Sequence, residues 1–231
     1  MKTTLRKDRG FTLIELLVVI TIIAILATVA TPMIGKARLT ARVIPATKNV
    51  QSILTYMALY SGENGGLYPE GVPGGSSNEA LRELFPDTCD VEKIFYIQSD
   101  RMFCNPKQAP DEKFGQGDSD IEDALAAGEN HWAFVSGLTD SNSGSTPVLA
   151  DGFTSGNIGE YEDKSHVWTK LNKAIVGYLD GSAAAVKLKN NIIPAPDGPN
   201  LFEIDDIVED ENIEVMNPLK RARGAARDDD E

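Results

Sequence analysis

From Phe11 to Ile34 the chain runs through 24 residues that are mostly Leu, Ile, Val, Ala and Thr, interrupted by one ionisable side chain, Glu15, and one proline, Pro32. As a helix rising about 1.5 Å per residue, this stretch would reach roughly 36 Å, longer than the roughly 30 Å hydrocarbon core of a bilayer. No other feature restricts the fold so strongly. One reading is a secretory signal peptide, with a basic leader, an apolar run and the small residues Thr28-Val29-Ala30 before a cut at Thr31. Against it, the run exceeds the usual h-region of about 7 to 15 residues and holds an acid. The other reading is a retained membrane anchor. A carboxylate within a span costs about 2.5 to 3.5 kcal/mol, so Glu15 needs a function and a partner. Four basic residues precede the run and Lys36, Arg38 and Arg42 follow it, which favours a cytoplasmic N-terminus only narrowly.

Charge divides the chain. Lys2, Arg6, Lys7 and Arg9 against Asp8 make residues 1–10 +3, and Lys36, Arg38, Arg42 and Lys48 against Glu15 make residues 11–61 +3. The formal total of −13 therefore leaves −19 on residues 62–231. A body so acidic argues against nucleic acid as a partner, because phosphate binding rests on clustered Lys and Arg.

The stretch Gly10-Phe11-Thr12-Leu13-Ile14-Glu15, with a short basic leader before it and an apolar helix carrying Pro32 after it, resembles the prepilin-type cleavage and methylation signal of type IV pilins and type II secretion pseudopilins. The resemblance implies a membrane prepilin peptidase that cuts after Gly10 on the cytoplasmic side and methylates the new amine of Phe11. It implies a leader at 1–10, a transmembrane helix at 11–34, an exposed continuation of that helix at 35–61, a globular pilin-like domain at 62–217 and a charged tail at 218–231. The processed chain would carry −16. A partner for Glu15 also follows, since a free α-amine has a reference pKa of about 7.7 to 8.0 and is cationic. Phe11 could pair with Glu15 within one helix, four residues apart. In a fibre, the resemblance places Glu15 on the Phe11 amine of a neighbouring subunit, where a slipped register would strand a charge.

The implied function is structural and not enzymatic: a subunit of a type II secretion pseudopilus or type IV pilus. Its partners would be other subunits, the peptidase, an inner-membrane assembly machinery and the lipid bilayer. The chain would cross the inner membrane once, its globular domain periplasmic or extracellular. A different class of function is an extracytoplasmic binding or hydrolytic domain that uses a pilin-type export signal as its anchor. The sequence offers that reading no GxSxG elbow, phosphate-cradling loop or HExxH pair. Asp151, His166 and a serine could be assembled into a triad only without any constraint from spacing.

The expected fold class is α+β, with a long N-terminal helix packed on a globular domain that holds a small antiparallel sheet. Leu39, Val43, Val50, Ile53, Leu54, Met57 and Leu59 recur at helical spacing, and the glycines of SGENGGLYP end the helix. Pro32 and Pro45 lack the N–H that a helix interior uses, which predicts two kinks. In fibres of the resembled family the segment before the first proline can unwind, which here would be Ala24 to Thr31. Ser76 with Glu79 reads as a capping box opening a short helix that stops by Pro86. HWAFVSG and TPVLADG read as strands, and AIVGYLDGSAAAVKL as a hairpin with a type I′ turn at Asp180-Gly181.

Three further groups bear on chemistry. Cys89 and Cys104, the only cysteines, would close a loop of about 15 residues if bonded outside the cytoplasm, worth roughly 3 kcal/mol; two separate buried thiols are the other reading. No cofactor is expected, with calcium the one candidate. Asp118, Asp120, Glu122 and Glu129 fall in an EF-hand-like frame, but Asp123 stands where the loop needs glycine, and a helix capped by Ser119 and closed by Gly128 accounts for them better. Asp205, Asp206, Glu209, Asp210 and Glu211 form a second acidic run, more simply a solvated face. His166 could bridge the sheet to Asp151 or Asp180, or have no role.

Overall fold

The computed structural model describes residues 11–107, 109–110, 124–162, 167–196, 198, 200–203, 207 and 212–220. The chain divides into two compact units, Met1–Ala41 and Arg42–Glu231. The fold is α+β, as expected: a long N-terminal helix followed by a part built on a five-stranded antiparallel sheet.

Helix α1 is Leu13–Glu63. It runs unbroken through Pro32 and Pro45, although the carbonyls four residues earlier, of Thr28 and Ala41, thereby lose their usual N–H donor. In the first unit the large apolar side chains from Leu13 to Ile34 stand exposed. Such a surface is costly in water and is at home only in lipid or among other helices. This is the one described helix long and apolar enough to cross a membrane.

In the second unit α1 becomes amphipathic. Val43, Ala46, Val50, Ile53, Leu54 and Met57 are buried, and their spacing of three and four residues sets them on one face. The expectation was inexact at its end: Leu59 is 55% exposed, while Ala46, small enough to escape a hydrophobicity scan, is buried. The sheet accommodates this face at Gly177, where a Cβ would lie 2.5 Å from Val50 Cγ1 and 3.1 Å from Leu54 Cδ1. Only glycine permits helix and sheet to approach so closely.

The strands are β1 Trp132–Ser136, β2 Pro147–Asp151, β3 Lys173–Tyr178, β4 Ala183–Lys187 and β5 Glu214–Met216, in the order β4-β3-β2-β1-β5. Every residue of β1 and β2 is buried, which marks the middle of a sheet covered on both faces. Helix α2, Ser77–Arg82, begins as expected, with the Glu79 carboxylate accepting the Ser76 N–H at 2.8 Å. The β3–β4 hairpin forms, but its turn is not type I′. The Gly181 N–H donates to the Tyr178 carbonyl at 3.0 Å, and Gly181 has φ +81° while Asp180 does not have positive φ. The loop therefore has three residues ending in a left-handed glycine, because the Asp180 side chain accepts the Ser182 N–H at 2.8 Å and holds a turn with negative φ.

Candidate functional site

The residues at the start of the apolar helix have a local chemistry of their own. Thr12 precedes the first residue of α1, and Glu15 lies three positions on. The Glu15 carboxylate accepts the Thr12 N–H at 2.9 Å and the Thr12 hydroxyl at 2.7 Å, while the Glu15 N–H donates to Thr12 Oγ1 at 3.3 Å. This is a capping box, which satisfies backbone donors that a helix start otherwise leaves without an intrahelical partner. The sequence carried the signal, Thr-x-x-Glu, and the reading of Glu15 as an intersubunit charge passed over it. Phe11, the expected new N-terminus, is exposed beside it, and Gly10, on the other side of the expected cut, lies outside the described residues.

A second constellation lies in the body. His131 immediately precedes β1, and its ring is clamped between two carboxylates: Nδ1 lies 2.6 Å from Asp100 Oδ2 and Nε2 lies 2.7 Å from Asp151 Oδ1. All three residues are buried. Each is positioned for a local reason. Asp100 closes a turn, its Oδ1 accepting the N–H groups of Met102 at 2.8 Å and Phe103 at 3.3 Å. His131 donates its own N–H to the Phe95 carbonyl and accepts from Gly152, so it is tied at both ends of the backbone. Asp151 is the last residue of β2, directly opposite Trp132. Its Oδ1 also accepts the Trp168 indole N–H at 3.1 Å, and its Oδ2 accepts the Ile175 N–H from β3 at 2.7 Å.

Every carboxylate oxygen is thus engaged, and both ring nitrogens face acceptors. A neutral imidazole would set a lone pair against one carboxylate, so the geometry calls for an imidazolium that donates twice. Burial opposes that charge, but Asp100 and Asp151 overcome it and raise the His131 pKa to about 9. For Asp100, burial alone would raise the pKa, and the His131 charge with its hydrogen bonds brings it below the usual value.

The cluster braces the body: its buried side chains tie the Asp100 turn, the start of β1 and the end of β2 together. Cys104 lies close enough to Asp100 and His131 for the three to suggest a metal site. In the arrangement present, both His131 ring nitrogens are taken up by carboxylate oxygens and burial holds the Cys104 thiol above its usual pKa.

Of the residues singled out in sequence, Asp151 does meet a histidine, but it is His131. His166 lies outside the described residues, and Asp180 is engaged with Ser182. Of the two readings of the cysteines, the structure has the separate buried thiols and not the disulfide. Cys89 and Cys104 are free and buried, the Cys89 thiol donating to the Val91 carbonyl at 3.8 Å and Cys104 Sγ accepting the Ile97 N–H at 3.4 Å. Burial raises the Cys89 pKa to about 11. Because only thiolate reacts, native protein at pH 8 should resist iodoacetamide for hours and take up two equivalents within minutes in urea, as counted by mass spectrometry. A mass 2 Da lower with no alkylation in urea would reinstate the bond. Asp118, Asp120, Glu122, Asp205, Asp206, Glu209, Asp210 and Glu211 lie outside the described residues; Glu129 accepts the Ala126 N–H at 2.8 Å.

Comparison with known proteins finds no match among curated proteins and none among solved structures. Residues 5–31 match one family, the prokaryotic N-terminal methylation motif. That match takes in the leader from Leu5 onward, with Gly10, Phe11, the Thr12–Glu15 cap and most of the apolar run, and it stops short of the body and its buried cluster. At its N-terminus, then, this chain carries the processing signal of type IV pilins and pseudopilins.

Proposed function

We propose that the chain is a structural subunit of a type IV pilus or type II secretion pseudopilus, processed by a prepilin peptidase between Gly10 and Phe11. The observation that carries this reading is the methylation motif over residues 5–31, set on a helix whose apolar side chains are exposed from Leu13 to Ile34. The motif implies the peptidase and other pilin-type subunits as partners, and the helix fits a membrane-anchored protein. After processing, the apolar helices would form the fibre core and the acidic bodies its outer surface. The carboxylate of Glu15, which caps its own helix in the single chain, would take the Phe11 amine of a neighbour as an additional donor on assembly.

Processing supplies the direct test. Mass spectrometry of the protein from its native membrane should show a chain beginning at N-methylated Phe11. Gly10→Val should leave the leader attached, because a branched side chain crowds the cut. A chain that keeps its leader without any substitution, or that starts at Thr31, contradicts the proposal.

A further inference from the structure

Asp100, Cys104 and His131 are buried, and their ligating atoms all lie within 4.8 Å of one another. Among the described residues no other group of three or more His, Cys, Asp or Glu side chains converges in this way. A thiolate, an imidazole nitrogen and a carboxylate oxygen together are a donor set suited to zinc. Asp100 is central to it, hydrogen-bonded to both the His131 ring and the Cys104 thiol. The surroundings suit such a site as well. On the far side of the ring, Nε2 faces Asp151 Oδ1 at 2.7 Å, and Asp151 is itself fixed by the Trp168 indole and the Ile175 N–H. A carboxylate behind a ligating histidine sets its tautomer and aims its other nitrogen at the metal. The Ile97 N–H donates to Cys104 Sγ at 3.4 Å, a contact that favours thiolate. A cleft of about 220 Å3 borders the cluster, its walls including Ile97 and Trp168, which bond Cys104 and Asp151, and Ser99, next to Asp100 in the chain. That is the side from which an ion would arrive.

We propose that Asp100 Oδ2, Cys104 Sγ and His131 Nδ1 bind one zinc ion, with a water in the fourth place. The ion takes the position of the proton held between Asp100 and His131. Binding sends two protons to solvent, one from the imidazolium Nδ1 and one from the thiol, so the dication enters without changing the formal charge of the buried cluster. Such balance matters because uncompensated charge in a low dielectric is very costly. Asp100 Oδ2 and His131 Nδ1, 2.6 Å apart, open to about 3.3 Å, the spacing of two tetrahedral ligands each about 2.0 Å from zinc. A small rotation of the carboxylate supplies that movement. Imidazolium and zinc are alternative occupants of one place, and the brace from Asp100 through His131 to Asp151 holds with either. The site lies wholly within the body and does not depend on fibre assembly.

The test uses the full-length chain in detergent, without a histidine tag and stripped by a chelator, with zinc and cobalt(II) ions as the probes. After dialysis against zinc and gel filtration in metal-free buffer, elemental analysis should find one zinc per chain. Zinc added to weakly buffered protein at neutral pH should release about two protons per ion bound. The cobalt form should show the near-ultraviolet band of sulfur-to-cobalt charge transfer. Cys104→Ser should abolish that band and weaken zinc binding by about tenfold or more, while Cys89→Ser should keep both. Zinc lost on gel filtration or bound without proton release, or cobalt bound without the charge-transfer band, means that exposed carboxylates alone hold the ions, and overturns the proposal. A band that survives Cys104→Ser, or vanishes in folded Cys89→Ser protein, overturns it too. Should Cys104→Ser fail to fold, the zinc content, proton release and cobalt spectrum of the wild-type chain decide the matter.

Discussion

Asp151→Ala should unfold the body of this protein or leave it within a few kcal/mol of unfolding. The substitution removes four things at once: a partner of His131, the acceptor of the Trp168 indole, the acceptor of the Ile175 N–H, and half the counter-charge of a buried imidazolium. Breaking a buried ion pair from one side costs about 3 to 5 kcal/mol, a large share of the 5 to 15 kcal/mol by which domains are stable. The measurement is urea unfolding of detergent-solubilised full-length chain followed by tryptophan fluorescence. The chain has two tryptophans, and both report on the cluster: Trp132 lies edge-on to the His131 ring at 4.8 Å, and Trp168 bonds Asp151 directly. A midpoint within experimental error of wild type would show that the cluster bears no load.

The same cluster fixes a pH dependence whose sign can be stated. The His131 pKa is raised from 6.5 to about 9 in the folded protein, so its contribution is complete below 6.5 and is lost as pH rises through 9. Asp100 is shifted the other way, below 3.8, so its contribution is present above that value and lost in acid. The urea midpoint should therefore be highest between about pH 5 and 6.5 and fall towards pH 9. His131→Gln should lower the midpoint throughout and abolish the slope between pH 6.5 and 9, which a loss of packing alone would not do.

The architecture was legible where one period or one signal dominated. The apolar run, the amphipathic stretch after it, the Ser76–Glu79 cap and the strands at Trp132 and Pro147 each follow from local pattern, and each formed. β5 escaped because Glu214–Met216 is only three residues long and borrows its conformation from β1, with which it pairs at Phe134, Val135 and Ser136. The buried cluster escaped for a related reason. Asp100, His131 and Asp151 are spread over fifty residues and are joined only by the sheet and the turn that bring them together. A histidine heading a wholly buried strand was the one available clue, because such a residue must find partners inside. His166 drew attention instead as a possible bridge to Asp151 or Asp180, and nothing in the residues around it spoke of depth. The Thr12–Glu15 cap was fully local and was missed because the charge of Glu15 in an apolar setting invited a long-range explanation first.

That cap sharpens what Glu15 substitutions should do. Glu15→Leu removes a charge from the bilayer but also removes the acceptor for the Thr12 N–H and hydroxyl, so two effects of opposite sign blur its result. Glu15→Gln separates them. Glutamine can serve in a capping box, its side-chain oxygen accepting the same N–H, but it offers no counter-charge to an amine. If the carboxylate pairs with the Phe11 amine of a neighbour, Glu15→Gln should be inserted and cut after Gly10 like wild type while fibre yield falls by about tenfold or more, the amine being left unpaired in low dielectric. Thr12→Ala makes the opposite cut. It loses the hydroxyl half of the cap, at about 0.5 to 2 kcal/mol of helix stability, and keeps the carboxylate, so assembly should fall far less. Co-expression with wild type should admit Glu15→Gln subunits at reduced frequency, since each one strands a neighbour's charge. Fibres built by Glu15→Gln alone at wild-type yield, together with impaired assembly of Thr12→Ala, would reverse the assignment: the acid would be there to start its own helix in lipid, and register along the fibre would have to come from contacts outside the membrane.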